Sequence, residues 1–164
     1  MDKIQMTQSS DFETLEKMAY ESWHSAYDGL LGAVQVDYML KKFQSAAAMR
    51  EQTQRQNYTY YFVVCGGENI GYCALQGQGN ELFLSKVYLQ ERVRGRGIGQ
   101  QVLSFVMEEA QRRGAKRVYL TVNKHNARAI RAYEKSGFLR EGEECTAIGG
   151  GYYMDDYIYA KYLR

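Results

Sequence analysis

The spacing of apolar positions changes several times along the chain, and each change marks an element. From Ser10 onward, Phe12, Leu15, Met18 and Ala19 recur at helical spacing. Ser10 and Glu13 have the separation of a capping box, so SSDFETLEKMAYESWHSAY is expected to be a helix, with a short strand at KIQM before it. GLLG interrupts that period, and VDYMLKKFQSAAAMREQTQRQ is helical again, in one or two pieces. The pattern then turns to β-rich runs on either side of GGEN, a hairpin signal, and GQGN supplies another turn. In the strand ELFLSKVYL, Leu82, Leu84 and Val87 share a face only if a local irregularity intervenes. Ile98, Val102, Leu103, Val106 and Ala110 form the apolar stripe of the next helix, which Gly114 ends. KRVYLTVN is a strand, NARAIRAYEKSG a short helix, and FLREGEECTAI and GYYMDDYIYAKYL are two closing strands around GGG. This order predicts an α/β architecture, a mixed sheet flanked by helices, as a single domain over residues 1–164.

Composition narrows the picture only slightly. The 164 residues are enough for a substantial core, and 45% hydrophobic with 24% charged residues is ordinary. A formal charge of +2 gives no reason to expect nucleic acid or an anionic membrane as partner. Three cysteines, with no CxxC pair and with Cys65 and Cys73 inside apolar runs, suit a reduced, cytoplasmic setting. The N-terminal segment lacks the apolar core of a signal peptide, and no apolar run is long enough for a membrane span.

The chemistry concentrates in VRGRGIGQQVL, Val93 to Leu103, where a strand passes through three glycines into a helix. The first turn of a helix presents N–H groups without internal partners, and the helix dipole adds positive potential. Glycines let an anion approach those groups, and Arg94 and Arg96 add charge-assisted donors. A phosphate or pyrophosphate is the expected guest. The spacing is not that of a P-loop, and GRGIGQ is G-x-G-x-G rather than the dinucleotide G-x-G-x-x-G.

Arg94-Gly95-Arg96-Gly97-Ile98-Gly99 resembles the R/Q-x-x-G-x-G/A signature of the GCN5-related N-acetyltransferases, the GNAT superfamily. About thirty residues on, NARAIRAYEKSGF is similar to that family's second motif through Asn126, Ala129, Tyr133, Gly137 and Phe138. The resemblance covers roughly Leu82 to Phe138. It implies a central, mostly antiparallel sheet with a splayed fourth strand, flanked by helices, and acetyl-CoA as donor for direct transfer to a primary amine of a small molecule, polyamine-like or similar, or of a peptide.

Further site roles follow from that resemblance. The backbone from Arg94 to Gly99 would hold the pyrophosphate. Val87, Tyr88 and Leu89, beside a β-bulge, would offer backbone groups to pantetheine and to the thioester carbonyl, where a donor stabilises developing negative charge. Asn126 would bind the pantetheine arm, although on the residues alone it is equally a helix N-cap. Tyr133 would be the general acid for the departing thiolate, since a phenol stays protonated at neutral pH; taken alone it reads as a core aromatic. Family members often place a glutamate base in or near the fourth strand, where this chain offers only Glu81. Asp155, Asp156, His24 and His125 remain alternatives for the base. Trp23, Tyr27 and Tyr153 are candidates to line the acceptor site, and no residue is assigned to a metal. The resemblance allows a homodimer. Arg112, Arg113, Lys116 and Arg117 read first as a solvated surface, and as candidates for the 3′-phosphate of CoA. Two competing classes are a catalytically silent acyl-CoA-binding module and an RG-type nucleic-acid binder using Arg92, Arg94 and Arg96.

Overall fold

The computed structural model describes residues 3–164. The elements run β1 (Gln5–Gln8), α1 (Phe12–Leu31), α2 (Ala33–Phe43), α3 (Ala46–Arg55), β2 (Tyr58–Cys65), β3 (Glu68–Gln78), β4 (Glu81–Leu89), α4 (Ile98–Arg112), β5 (Arg117–Asn123), α5 (Ala127–Lys135), β6 (Leu139–Gly149) and β7 (Tyr152–Tyr162). The seven strands form one sheet in the order β1-β2-β3-β4-β5-β7-β6. Every neighbouring pair is antiparallel except β4 and β5.

Two local expectations need correction, and one alternative is decided. Asp11, not Ser10, caps α1: its carboxylate accepts from the Thr14 N–H and hydroxyl, and Ser9 Oγ accepts from Asp11 N. A carboxylate is the stronger acceptor at a helix N-terminus. GLLG does not interrupt α1 at Gly29. The helix continues to Leu31 and stops at Gly32, whose φ of +85° suits glycine. The following helical stretch is two helices, because Ser45 starts a new one by accepting from Ala48 N. The hairpin between β2 and β3 turns at Gly66-Gly67, both at positive φ, as a two-residue turn requires.

Two apolar clusters cover the two faces of the sheet. One packs Leu82, Leu84, Leu120 and Tyr159 against Ile98, Val102, Val106 and Tyr133 of α4 and α5. The other packs Tyr60, Phe62, Tyr72 and Ala74 against Phe12, Leu15, Val36 and Met49 of α1–α3. The result is a three-layer α/β/α arrangement.

The anticipated irregularity in β4 is a one-residue bulge. Leu84 opposes Leu75 and Lys86 opposes Ala74, so Ser85 has no partner on β3. On its other side β4 pairs with β5 only over Glu81, Leu82 and Phe83. Beyond Phe83 the two parallel strands separate, and the β5-facing edge of β4 is left open.

Candidate functional site

The gap between β4 and β5 opens into a cavity of about 730 Å³. Its walls come from the ends of both strands, from α1 and α2, from the start of α4, from α5 and from β7. Val87, Tyr88 and Leu89 line it. They stay paired with Cys73, Tyr72 and Gly71 of β3, so the backbone groups they offer are those facing the gap.

Arg94, Gly95, Gly97, Ile98 and Gly99 form the wall where α4 begins. Gly95 and Gly97 have φ of +81° and +77°, which turn the chain sharply into the helix. Among the described residues, the N–H groups of Gly95, Gly97, Ile98 and Gly99 meet no protein acceptor. Gly99 has ordinary helical backbone, and a Cβ there would lie 3.7 Å from Leu89 Cδ1, a normal contact. The fold alone therefore does not demand glycine at 99; the open space in front of it belongs to the cavity. These features fit a bound pyrophosphate. Arg96 does not contribute to the cavity wall.

Asn126 serves the capping role anticipated for it and also lines the cavity. Its Oδ1 accepts from Ala129 N at 3.3 Å and caps α5. Its Nδ2 donates to Tyr27 Oη at 3.2 Å, and the second amide hydrogen is left for another acceptor. Tyr133 is 9% exposed and packs edge-on to Phe138. Its hydroxyl makes no hydrogen bond among the described residues, while the side chain lines the cavity. Burial, with Tyr27 nearby, raises the phenol pKa well above its ordinary value, so it holds its proton.

Glu81 is not among the residues that line the cavity. It sits at the start of β4, where the strand is still paired, and Arg117 Nη1 holds it at 2.7 Å. The carboxylate in the cavity wall is Asp156 of β7. It lies opposite Asn123 at the carboxyl end of β5 and is 6% exposed. Tyr157 and Tyr159 pack toward α4 and α5, so strand alternation turns Asp156 toward α1 and α2. Burial pushes its pKa up to about 6, with repulsion from Glu144 and Asp155 adding to the effect and Lys124 opposing it. Asp155, on the opposite face, is paired with Lys124 at 3.0 Å. His24 is occupied by Asp28 and Asp37, and His125 is absent from the cavity wall.

Trp23, Tyr27 and Tyr153 all line the cavity, on the side formed by α1, α2 and β7. The basic cluster after α4 does not approach the glycine turn. Fifteen helical residues separate them, roughly 22 Å at 1.5 Å per residue, and Arg112, Arg113 and Arg117 are engaged by Glu109, Glu81 and Glu141. The cations that do line the cavity are Arg128, Arg131 and Lys135 of α5, besides Arg94 and Lys86. The i, i+3, i+7 spacing of the three on α5 places them on one face, a signal present in the sequence but passed over. Arg92 pairs with Glu68 at 2.7 Å and Arg94 faces the cavity, so the RG segment presents no continuous basic strip.

Comparison with known proteins agrees with this geometry. Residues 16–138 match the model of the acetyltransferase (GNAT) family. The chain belongs to that family. An uncharacterised N-acetyltransferase of Mycobacterium tuberculosis is 35% identical to this GNAT chain over 98 residues, 59% of the chain and 62% of that protein. The spermine/spermidine N(1)-acetyltransferase of Bacillus subtilis is 33% identical over 63 residues, 38% of the chain and 41% of that protein. The matches thus span under two thirds of these relatives' own lengths. Across the whole fold, the crystal structure of PaiA N-acetyltransferase from Thermoplasma acidophilum in complex with coenzyme A superposes with a TM-score of 0.78. It is 20% identical, over 98% of this GNAT chain and 99% of the other. Among the described residues no cluster could hold a metal ion, and no helix is long and apolar enough to cross a membrane.

Proposed function

We propose that the chain is an acetyl-CoA-dependent N-acetyltransferase acting on the primary amine of a small molecule. The observation that carries this reading is one cavity holding three things: the opening of β4 from β5, free N–H groups at the start of α4, and two titratable side chains, Tyr133 and Asp156, in its wall. Acetyl-CoA supplies an activated thioester. The N–H groups from Gly95 to Gly99, with Arg94, bind its pyrophosphate, and the cations of α5 stand beside that site. The open edge of β4 from Val87 to Leu89 orients the pantetheine arm and the thioester carbonyl.

Asp156 takes a proton from the acceptor's ammonium, which must become neutral to attack. With a pKa of about 6 it is ionised at neutral pH and still a stronger base than an ordinary aspartate. Tyr133 gives a proton to the departing sulfur. Calorimetric titration with acetyl-CoA, beside free CoA, ATP and NAD, tests the donor. Micromolar binding of both thioester and thiol, without binding of the nucleotides, is expected. Absence of binding in a folded sample rejects the reading.

A further inference from the structure

The acceptor side of the cavity carries a charge pattern that discriminates among amines. Its walls are largely apolar or aromatic, with Trp23 and Tyr27 from α1, Met39 from α2, Tyr72 from β3 and Met154 from β7, beside the neutral polar side chains Ser22, Ser25 and Gln35. Asp156 is the only carboxylate in the cavity wall among the described residues. Lys86 belongs to the same wall, immediately after the β4 bulge. Its Nζ donates to Phe43 O at 3.0 Å, to Gln52 Oε1 at 3.1 Å and to Tyr60 Oη at 2.5 Å. Tyr60 in turn donates its proton to Gln52 Oε1 at 2.5 Å, so it meets Lys86 as an acceptor. Three acceptors around one nitrogen match the three hydrogens of an ammonium. Phe43 also ends α2, where the helix dipole favours a cation. The rings of Tyr58 and Tyr60 lie 5.6 and 5.1 Å from the same nitrogen. No carboxylate pairs with Lys86 among the described residues.

Resting on the acetyltransferase reading above, we propose that the acceptor is a singly charged primary amine with an apolar body, and that Lys86 rejects a second ammonium. One carboxylate neutralises one cation. Lys86 on β4 and Asp156 on β7 are separated by β5, about 10 Å at two strand spacings and more where β4 splays. An extended diamine held at Asp156 sends its second charge into a wall that already holds an unpaired cation. Burying that charge without a partner is costly. Burial also lowers the Lys86 pKa to about 7, so the Lys86 ammonium and the Asp156 carboxylate both predominate only at about pH 6.5, where the discrimination is greatest, and the rejection weakens as pH rises through 7.

Hexylamine and 1,6-diaminohexane form a matched pair that differs by one ammonium. Trp23 is the only tryptophan and lines the acceptor side, so its fluorescence reports amine binding in the presence of CoA. Hexylamine is expected to bind at least tenfold more tightly, and to show at least tenfold higher kcat/KM in an assay of CoA release from acetyl-CoA. Spermidine should rank with the diamine. Lys86→Met should bring the ratio within about threefold of unity at pH 6.5, with Lys86→Gln as the second variant if the first fails to fold; an unchanged ratio in a folded variant overturns the role of Lys86. Equal or stronger binding of the diamine overturns the proposal while leaving the donor reading intact. Failure of acetyl-CoA itself to bind rejects the donor reading, and the acceptor proposal with it.

Discussion

Tyr133 reaches the cavity from the α5 side of the sheet and Asp156 from the side of α1 and α2, so in the proposed reaction the gap between β4 and β5 lets two faces of the sheet act on one substrate. Their environments move both pKa values upward, with opposite consequences. The phenol is locked in its acid form, whereas the carboxylate is brought closer to neutrality yet remains a base at pH 7. Tyr133→Phe keeps the ring packed on Phe138 and removes only the hydroxyl. A fall in kcat of about 10²–10⁴, typical for loss of acid–base catalysis, is expected with acetyl-CoA affinity unchanged by calorimetry. Asp156 must be ionised to work. The kcat/KM profile should therefore fall tenfold per pH unit below about 6, and Asp156→Asn should lower kcat and abolish that limb. A variant that kept the limb would assign it to another group.

At the scale of elements, the bulge at Ser85 and the early parting of β4 from β5 set where the cavity wall runs. Gly71 on β3 holds the far end of that wall. A Cβ at 71 would lie 2.2 Å from Tyr88 O and 2.9 Å from Leu89 Cδ2, so any side chain must push β4 outward. Gly71→Ala is expected to weaken CoA binding about tenfold while leaving a folded, cooperative protein, measured by calorimetry beside thermal melting. Much of this element scale is legible in the sequence, because the glycine turn, the α4 stripe and the Asn126–Phe138 segment are contiguous and encode their own geometry. What is not legible depends on pairing between distant segments. Glu81 and Asp156 are equally plausible bases on the chain; only the β5–β7 register places Asp156 beside Asn123, and only Arg117 shows that Glu81 is engaged elsewhere. Nothing along the chain marks Lys86 as enclosed; that follows only when β4 is laid against α2 and α3.

For the molecule as a whole, the cavity wall formed by α1, α2 and β7 is a joint between the helical layer and the β6–β7 hairpin. That hairpin extends past β5, and α2 grips its tip: Tyr38 Oη donates to Ile148 O at 2.8 Å, Lys42 reaches the same carbonyl, and Gln35 Nε2 donates to Tyr153 O at 3.3 Å. Gly149 and Gly150, both at positive φ, let the backbone lie against the Tyr38 ring. Beside the apolar packing of Leu15 and Ala19 with Val36 and Leu40, His24 bridges α1 to α2. Its Nδ1 lies 2.7 Å from Asp28 and its Nε2 2.7 Å from Asp37, so both nitrogens must carry hydrogen for the bridge to be complete. Burial opposes that charge, but the two carboxylates outweigh it and raise the His24 pKa above 6.5. A histidine whose folded pKa is raised contributes its full stability below the unfolded value and loses it as pH rises through the folded one. The stability difference between wild type and His24→Gln should therefore be larger at pH 6 than at pH 9. Hydrogen exchange over residues 20–43, corrected for the intrinsic rate, should show wild-type α1 and α2 opening more readily at the higher pH. Equal differences at both pH values would mean that the bridge contributes nothing to the joint, and that packing of Val36 and Leu40 against the sheet holds α2 unaided.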